Sequence, residues 1–177
     1  MRRTLARLAV IVVSLCAAIA AAQPAPDVEA ARVLAQWLDS TCLGEDAPAL
    51  RAALRQHAVT LRPELRRAID AGPPAAAVDA VRAAASEHQR RRAELAPDGV
   101  VVTGVSREAL ARVARTTERD FAADQAARYV QGYRSNAIAA LAIIGTPDDR
   151  ALLRRLAAQR NALAPVARAA LAVEPDR

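Results

Sequence analysis

An all-α fold is what this amino-acid sequence predicts. Apolar residues return every three or four positions through most of the chain, the spacing that lines one face of a helix. Hydrophobic residues make up 53% of the chain but aromatics only 2%, so alanine and aliphatic side chains must supply most of the buried surface. Alanine has the best helix propensity and its methyl hides little area, a combination that calls for helices approaching closely in a bundle or short solenoid. Only Val100-Val101-Val102-Thr103 has strand composition, and one short run makes no sheet.

The first segment stands apart from the fold. Met1 to Arg7 are basic, Leu8 to about Ala18 apolar, and Ala20-Ala21-Ala22 before Gln23-Pro24 form a small-residue cleavage site. Residues 1–22 are therefore expected to be a secretory signal peptide cut between Ala22 and Gln23, with 23–177 as one helical domain. The apolar run is shorter than the roughly 20 residues of a membrane span, so no stable membrane anchor is expected after cleavage. Leu15, ahead of Cys16, stands where lipoprotein signals carry a small residue. The alanine- and arginine-rich style suggests a bacterial envelope, which makes the expected destination periplasmic or secreted.

Cleavage changes two further readings. The formal charge of +6 loses Arg2, Arg3 and Arg7, leaving 22 basic residues against 19 acidic, too even a balance to predict nucleic-acid binding. Cys42 becomes the only cysteine, so an internal disulfide is excluded; a buried thiol at a helix end, an intermolecular disulfide and a reactive thiol remain open, with no histidine near in sequence to favour the last.

Within 27–96 four helices are expected. Asp27 to Ser40 places Val28, Ala31, Leu34 and Leu38 on one face with Trp37 beside it, and Gly44 ends it. An Asp46 cap starts the second, with Pro48 in its first turn and Leu50, Leu54 and His57 or Ala58 as its stripe. Pro63 opens a short third helix through Leu65 and Ile69 to Gly72. Pro73-Pro74 open the fourth, with Val78, Val81 or Arg82, Ala85 and Leu95 on its apolar side. Residues 97–105 read as an extended connector. Ser106 then caps a long helix over 106–134 with the stripe Leu110, Val113, Thr117, Phe121, which Gly132 kinks or ends.

The remainder, 135–174, is the most regular part. Ala137, Ile138, Leu141 and Ile144 form an apolar helix that stops at Gly145. Thr146-Pro147-Asp148-Asp149 restarts one at once: threonine caps free amides, proline has its φ preset, and aspartates suit a positive helix start. Leu152, Leu153 and Leu156 carry that helix inward, and Pro165 opens a last one with Val166, Ala170 and Leu171 facing the others.

The run from about Ser135 to Val173 resembles HEAT-like repeats, through the Ala140-Leu141 and Ala170-Leu171 pairs, the Gly145-Thr146-Pro147-Asp148 turn, Leu152 to Leu156, and Val166-Ala167-Arg168. It covers about one and a half repeats, whereas about three make a stable solenoid, so the earlier helices must supply the missing burial. The resemblance implies helical hairpins that present a surface to another protein. Some HEAT-like proteins are metal-dependent hydroxylases with His-Glu pairs; here Glu87-His88 runs in the reverse order and occurs once, so no catalytic residue is carried over.

Among chemical constellations, His57 and His88 lie thirty-one positions apart with no zinc-type spacing, so neither a metal nor a cofactor is expected. The serines lack the glycine setting of a hydrolase elbow, and Asp148-Asp149 is explained by capping. Arg90-Arg91-Arg92 fan around a helix rather than form one stripe. Phe121, Arg128, Tyr129, Tyr133 and Arg134 have the composition that interfaces favour and form the candidate interaction surface. A protein partner of an exported helical module is thus expected ahead of two alternatives, an enzyme working with carboxylates and arginines, or an envelope protein bound to membrane or wall polymer.

Overall fold

The structure, a computed structural model, describes residues 27–40, 47–95 and 115–173. Among these there are seven α-helices and no strand: α1 Val28–Leu38, α2 Ala47–Gln56, α3 Ala58–Ala71, α4 Ala75–Leu95, α5 Glu118–Ile144, α6 Pro147–Ala157 and α7 Ala164–Ala172. The chain is all-α, as its patterning predicts. At 1.5 Å per residue the 27 residues of α5 span about 40 Å, and each of the other six helices packs against it somewhere along that length.

Helix α1 starts where Asp27 Oδ1 accepts the Ala30 amide at 3.0 Å. It buries Ala30, Val33, Trp37 and Leu38, while Val28 stays 76% exposed, which rotates the helix away from the expected face. Trp37 decides the rotation: it is the largest fully buried side chain, and its indole N–H donates to the Asn136 carbonyl at 2.7 Å. Val33 and Ala30, four and seven residues before it, then lie on the same side. Asn136 returns the contact, its Nδ2 donating to the Leu38 and Ser40 carbonyls at 3.1 and 2.8 Å. One asparagine on α5 thereby satisfies carbonyls that the end of α1 leaves free.

Leu50 and Leu54 turn α2 inward as expected. The third helix does not begin at Pro63. It begins at Ala58, directly after His57, and Pro63 is accommodated inside it. The stripe Leu61, Leu65, Ala68, Ile69 is fully buried, and packing along that side holds the turn across a proline that lacks its own N–H. Gly72 ends α3 with φ +78, and its amide donates to the Ala68 carbonyl at 3.0 Å.

Helix α4 opens after Pro73-Pro74 and runs along α5, burying Ala85 and Gln89. Arg82 is exposed, so Val78 and Val81 supply its partly buried side. The helix expected to run unbroken over 106–134 is interrupted at Thr116-Thr117 and continues past residue 134. Thr117 is its cap and not part of a stripe, its Oγ1 accepting the Asp120 amide at 3.0 Å, and the helix passes through Gly132 and the 134/135 boundary to Ile144. One glycine costs only about 1 kcal/mol in a helix, which the burial of Ala137, Ile138, Ala140 and Leu141 just beyond it outweighs. The connector 97–105, the Ser106 cap, Leu110, Val113, Cys42, the Asp46 cap and the 1–22 leader with its Ala22/Gln23 junction lie outside the described residues.

After α5 the chain reverses through Gly145-Thr146 into α6, and α7 packs against both α6 and α5. Ala164, Ala167 and Ala170 form its buried face, with Val166 and Leu171 half-buried beside them. Asn161 starts it, Oδ1 accepting the Leu163 and Ala164 amides at 3.0 and 3.1 Å.

Candidate binding cleft

The Gly145–Asp149 turn sets one wall of the cleft. A Cβ on Gly145 would collide with the Leu141 carbonyl oxygen and meet Asp149 Cβ at 2.8 Å, so only glycine lets the two helices meet this closely. Asp149 then folds back over the start of α6. Its Oδ2 accepts the Thr146 amide at 2.7 Å and the Thr146 hydroxyl at 2.9 Å. Its Oδ1 accepts Arg66 Nε from α3 at 2.6 Å and also pairs with Arg66 Nη2. The carboxylate has no exposed surface, while the Arg66 side chain is 45% exposed. Burial, the largest influence on Asp149, pushes its carboxyl up; the Thr146 amide, the Arg66 guanidinium and the Thr146 hydroxyl outweigh it and hold the group below its ordinary 3.8.

This bond tethers α3 to the start of α6 and leaves an open cleft of about 390 Å³, lined by Arg66, Asp70, Asp148, Ala151, Leu152 and Arg155. Arg66 and Asp70 are one turn apart on α3. Asp148, Ala151, Leu152 and Arg155 follow the three- and four-residue spacing of one face of α6. Among the described residues the side chains of Asp70, Asp148 and Arg155 have no hydrogen-bond or ion-pair partner, and all three are exposed. The cleft therefore offers free charges of both signs around the apolar surface of Ala151 and half-buried Leu152.

The residues of the expected interaction surface lie elsewhere and divide between neighbours. Phe121 stacks on His88 of α4 with ring centroids 6.1 Å apart. Arg128 pairs with Asp124 on its own helix at 2.8 Å. Tyr129 and Tyr133 stand together, centroids 6.1 Å apart, and the Tyr129 hydroxyl donates to Asp39 Oδ1 at 2.9 Å. Burial, with Asp39's charge and hydrogen bond adding to it, pushes the Tyr129 phenol up to about 12. Tyr133 is raised too, by burial first and then by Asp39 and Glu64. Arg134 turns to the end of α3, its Nη2 donating to the Asp70 carbonyl at 3.0 Å. The tyrosine pair is thus a half-buried joint between α5 and the end of α1, with Phe121 two turns away.

His57 sits at the α2–α3 junction, its Nδ1 3.0 Å from Asp27 Oδ2. Among the described residues no three metal-ligating side chains gather, and no helix is long and apolar enough to cross a membrane. Sequence reasoning identified Asp148-Asp149 as a cap but missed Arg66, Asp70 and Arg155; the tie that brings their helices together joins Arg66 to Asp149 across 83 positions and leaves no local signal. No protein-family model, curated protein or solved structure matches the chain.

Proposed function

We propose that this chain is an exported, periplasmic or secreted, helical module that binds another protein. The observation that carries this reading is the α3–α6 cleft, where exposed charges of both signs without partners border an apolar strip. Charges of this kind add little to the stability of the chain itself, yet they orient and select a partner. The leader-like residues 1–22 support export, and the HEAT-like spacing of 135–173 supports a surface built from helical hairpins. A pull-down with the intact chain from envelope extract should recover one stoichiometric partner. Repeated recovery of none, under several lysis conditions and after mild cross-linking, overturns the reading.

A further inference from the structure

Resting on that protein-binding reading, we infer that the α3–α6 cleft receives an extended segment of the partner carrying one basic and one acidic side chain four residues apart, on the same face of the segment. The argument starts from the spacing of the free charges. Asp148 and Arg155 are seven residues apart on one face of α6, about 10.5 Å at 1.5 Å per residue. Arg66, tied to Asp149, marks the Asp148 end as the start of the helix. An extended chain rises about 3.3 Å per residue and turns alternate side chains to opposite faces, so charges four residues apart, about 13 Å along the chain, face α6 together and lean inward over that distance. A basic side chain then meets Asp148, with Asp70 on the opposite wall adding negative charge, and an acidic one meets the Arg155 guanidinium. An apolar side chain between them lies on Ala151 and Leu152.

Other occupants fit less well. A free amino-acid zwitterion holds its two charges on one carbon and cannot bridge ends about 10.5 Å apart. A polymer of one negative sign meets Asp70 and Asp148 as well as Arg155. Arg66 is already committed to Asp149, so the free charge of the cleft leans negative and gives no advantage to an anion. Arg155, Asp148 and Asp70 are exposed and support no packing in the fold, so replacing them costs no core contact and, at the ends of α6, only the modest interaction of Asp148 and Arg155 with the helix dipole.

The test uses end-blocked, labelled seven-residue peptides on an alanine–leucine background, with one glutamate and one lysine four positions apart in either order. Controls carry two lysines, two glutamates, or the opposite charges side by side. Fluorescence anisotropy against the intact chain should show one opposite-charge order binding at least tenfold tighter than every control. Arg155→Glu should weaken that peptide at least tenfold and strengthen the two-lysine peptide, with helical content and a cooperative circular-dichroism melt retained. Equal binding of all peptides, binding of none, or indifference to Arg155→Glu overturns the inference. If the pull-down partner is captured equally well by an Arg155→Glu/Asp148→Lys chain, the cleft is the wrong site while protein binding stands. If neither peptide nor partner binds, both readings fall.

Discussion

Asp149 has no contact with water, and a carboxylate so placed stays ionised only because two donors from Thr146 and the Arg66 guanidinium surround it. Asp149→Asn should cost about 2 kcal/mol in urea denaturation at neutral pH, since hydrogen bonds to a charged group contribute on that order and the half-exposed Arg66 adds little beyond them. The sign of the pH effect follows from the direction of the shift. A carboxyl held below its unfolded value stabilises the fold fully above about pH 4 and loses that contribution as pH falls through the folded value. Asp149→Asn should therefore flatten the acid limb of a stability-against-pH curve. Asp27, Glu29 and Glu87 are also held low, by a backbone amide at Asp27 and by arginine partners at the other two, so some slope should remain. At this scale the sequence was legible wherever a residue acts on its own helix, as Thr146 and Asp149 do. Arg66 was not, because an arginine on an amphipathic helix looks the same whether it faces solvent or a carboxylate 83 positions away.

Each helix owes its boundaries to a mixture of local signals and distant burial. Gly145 shows the first kind: adding a methyl there pushes into the Leu141 carbonyl and Asp149, and Gly145→Ala should lower stability by about 2 kcal/mol in a thermal melt. Gly132 is the contrasting case, since a Cβ there meets nothing within 4 Å. Gly132→Ala should raise stability by about 0.5 to 1 kcal/mol through helix propensity. The two substitutions are chemically identical and should move the melting temperature in opposite directions. Period-based reading located the helices but not always their faces. The face drawn through Val28, Ala31, Leu34 and Leu38 was as regular as the one observed, and only the long reach of Trp37 to Asn136 selects between them. Likewise Pro63 carried a start signal that the burial of Leu61 and Leu65 overrode.

The whole molecule is organised around α5, whose C-terminal half buries Ala137, Ala140 and Leu141 with no exposed surface at all. Small side chains at these contacts let helix axes approach, so the packing has little slack. Ala140→Leu should destabilise by about 1 to 3 kcal/mol, the usual effect of forcing extra methylenes into a filled core, read as a lower urea midpoint with an unchanged slope. Trp37 is the sole tryptophan, fully buried against α5, so its emission reports the docking of α1 on that helix. A chain ending at residue 117 should emit like a solvated indole and melt without cooperativity. That all the described elements would be helices followed from composition and spacing; that one late helix would organise them did not, because pairings such as Trp37 with Asn136 join positions 99 residues apart.

The position of α5 late in the chain has a kinetic consequence for synthesis. Helix α1 is complete when Leu38 is added, but the surface it rests on is not finished until Ile144, roughly 5 to 20 s later at 5 to 20 residues per second. During that interval Trp37, Leu54 and Leu65 have no permanent resting place, and a holding chaperone has that long to bind them. The nascent polypeptide thus stays threadable until its last third emerges, then gathers around one newly made rod.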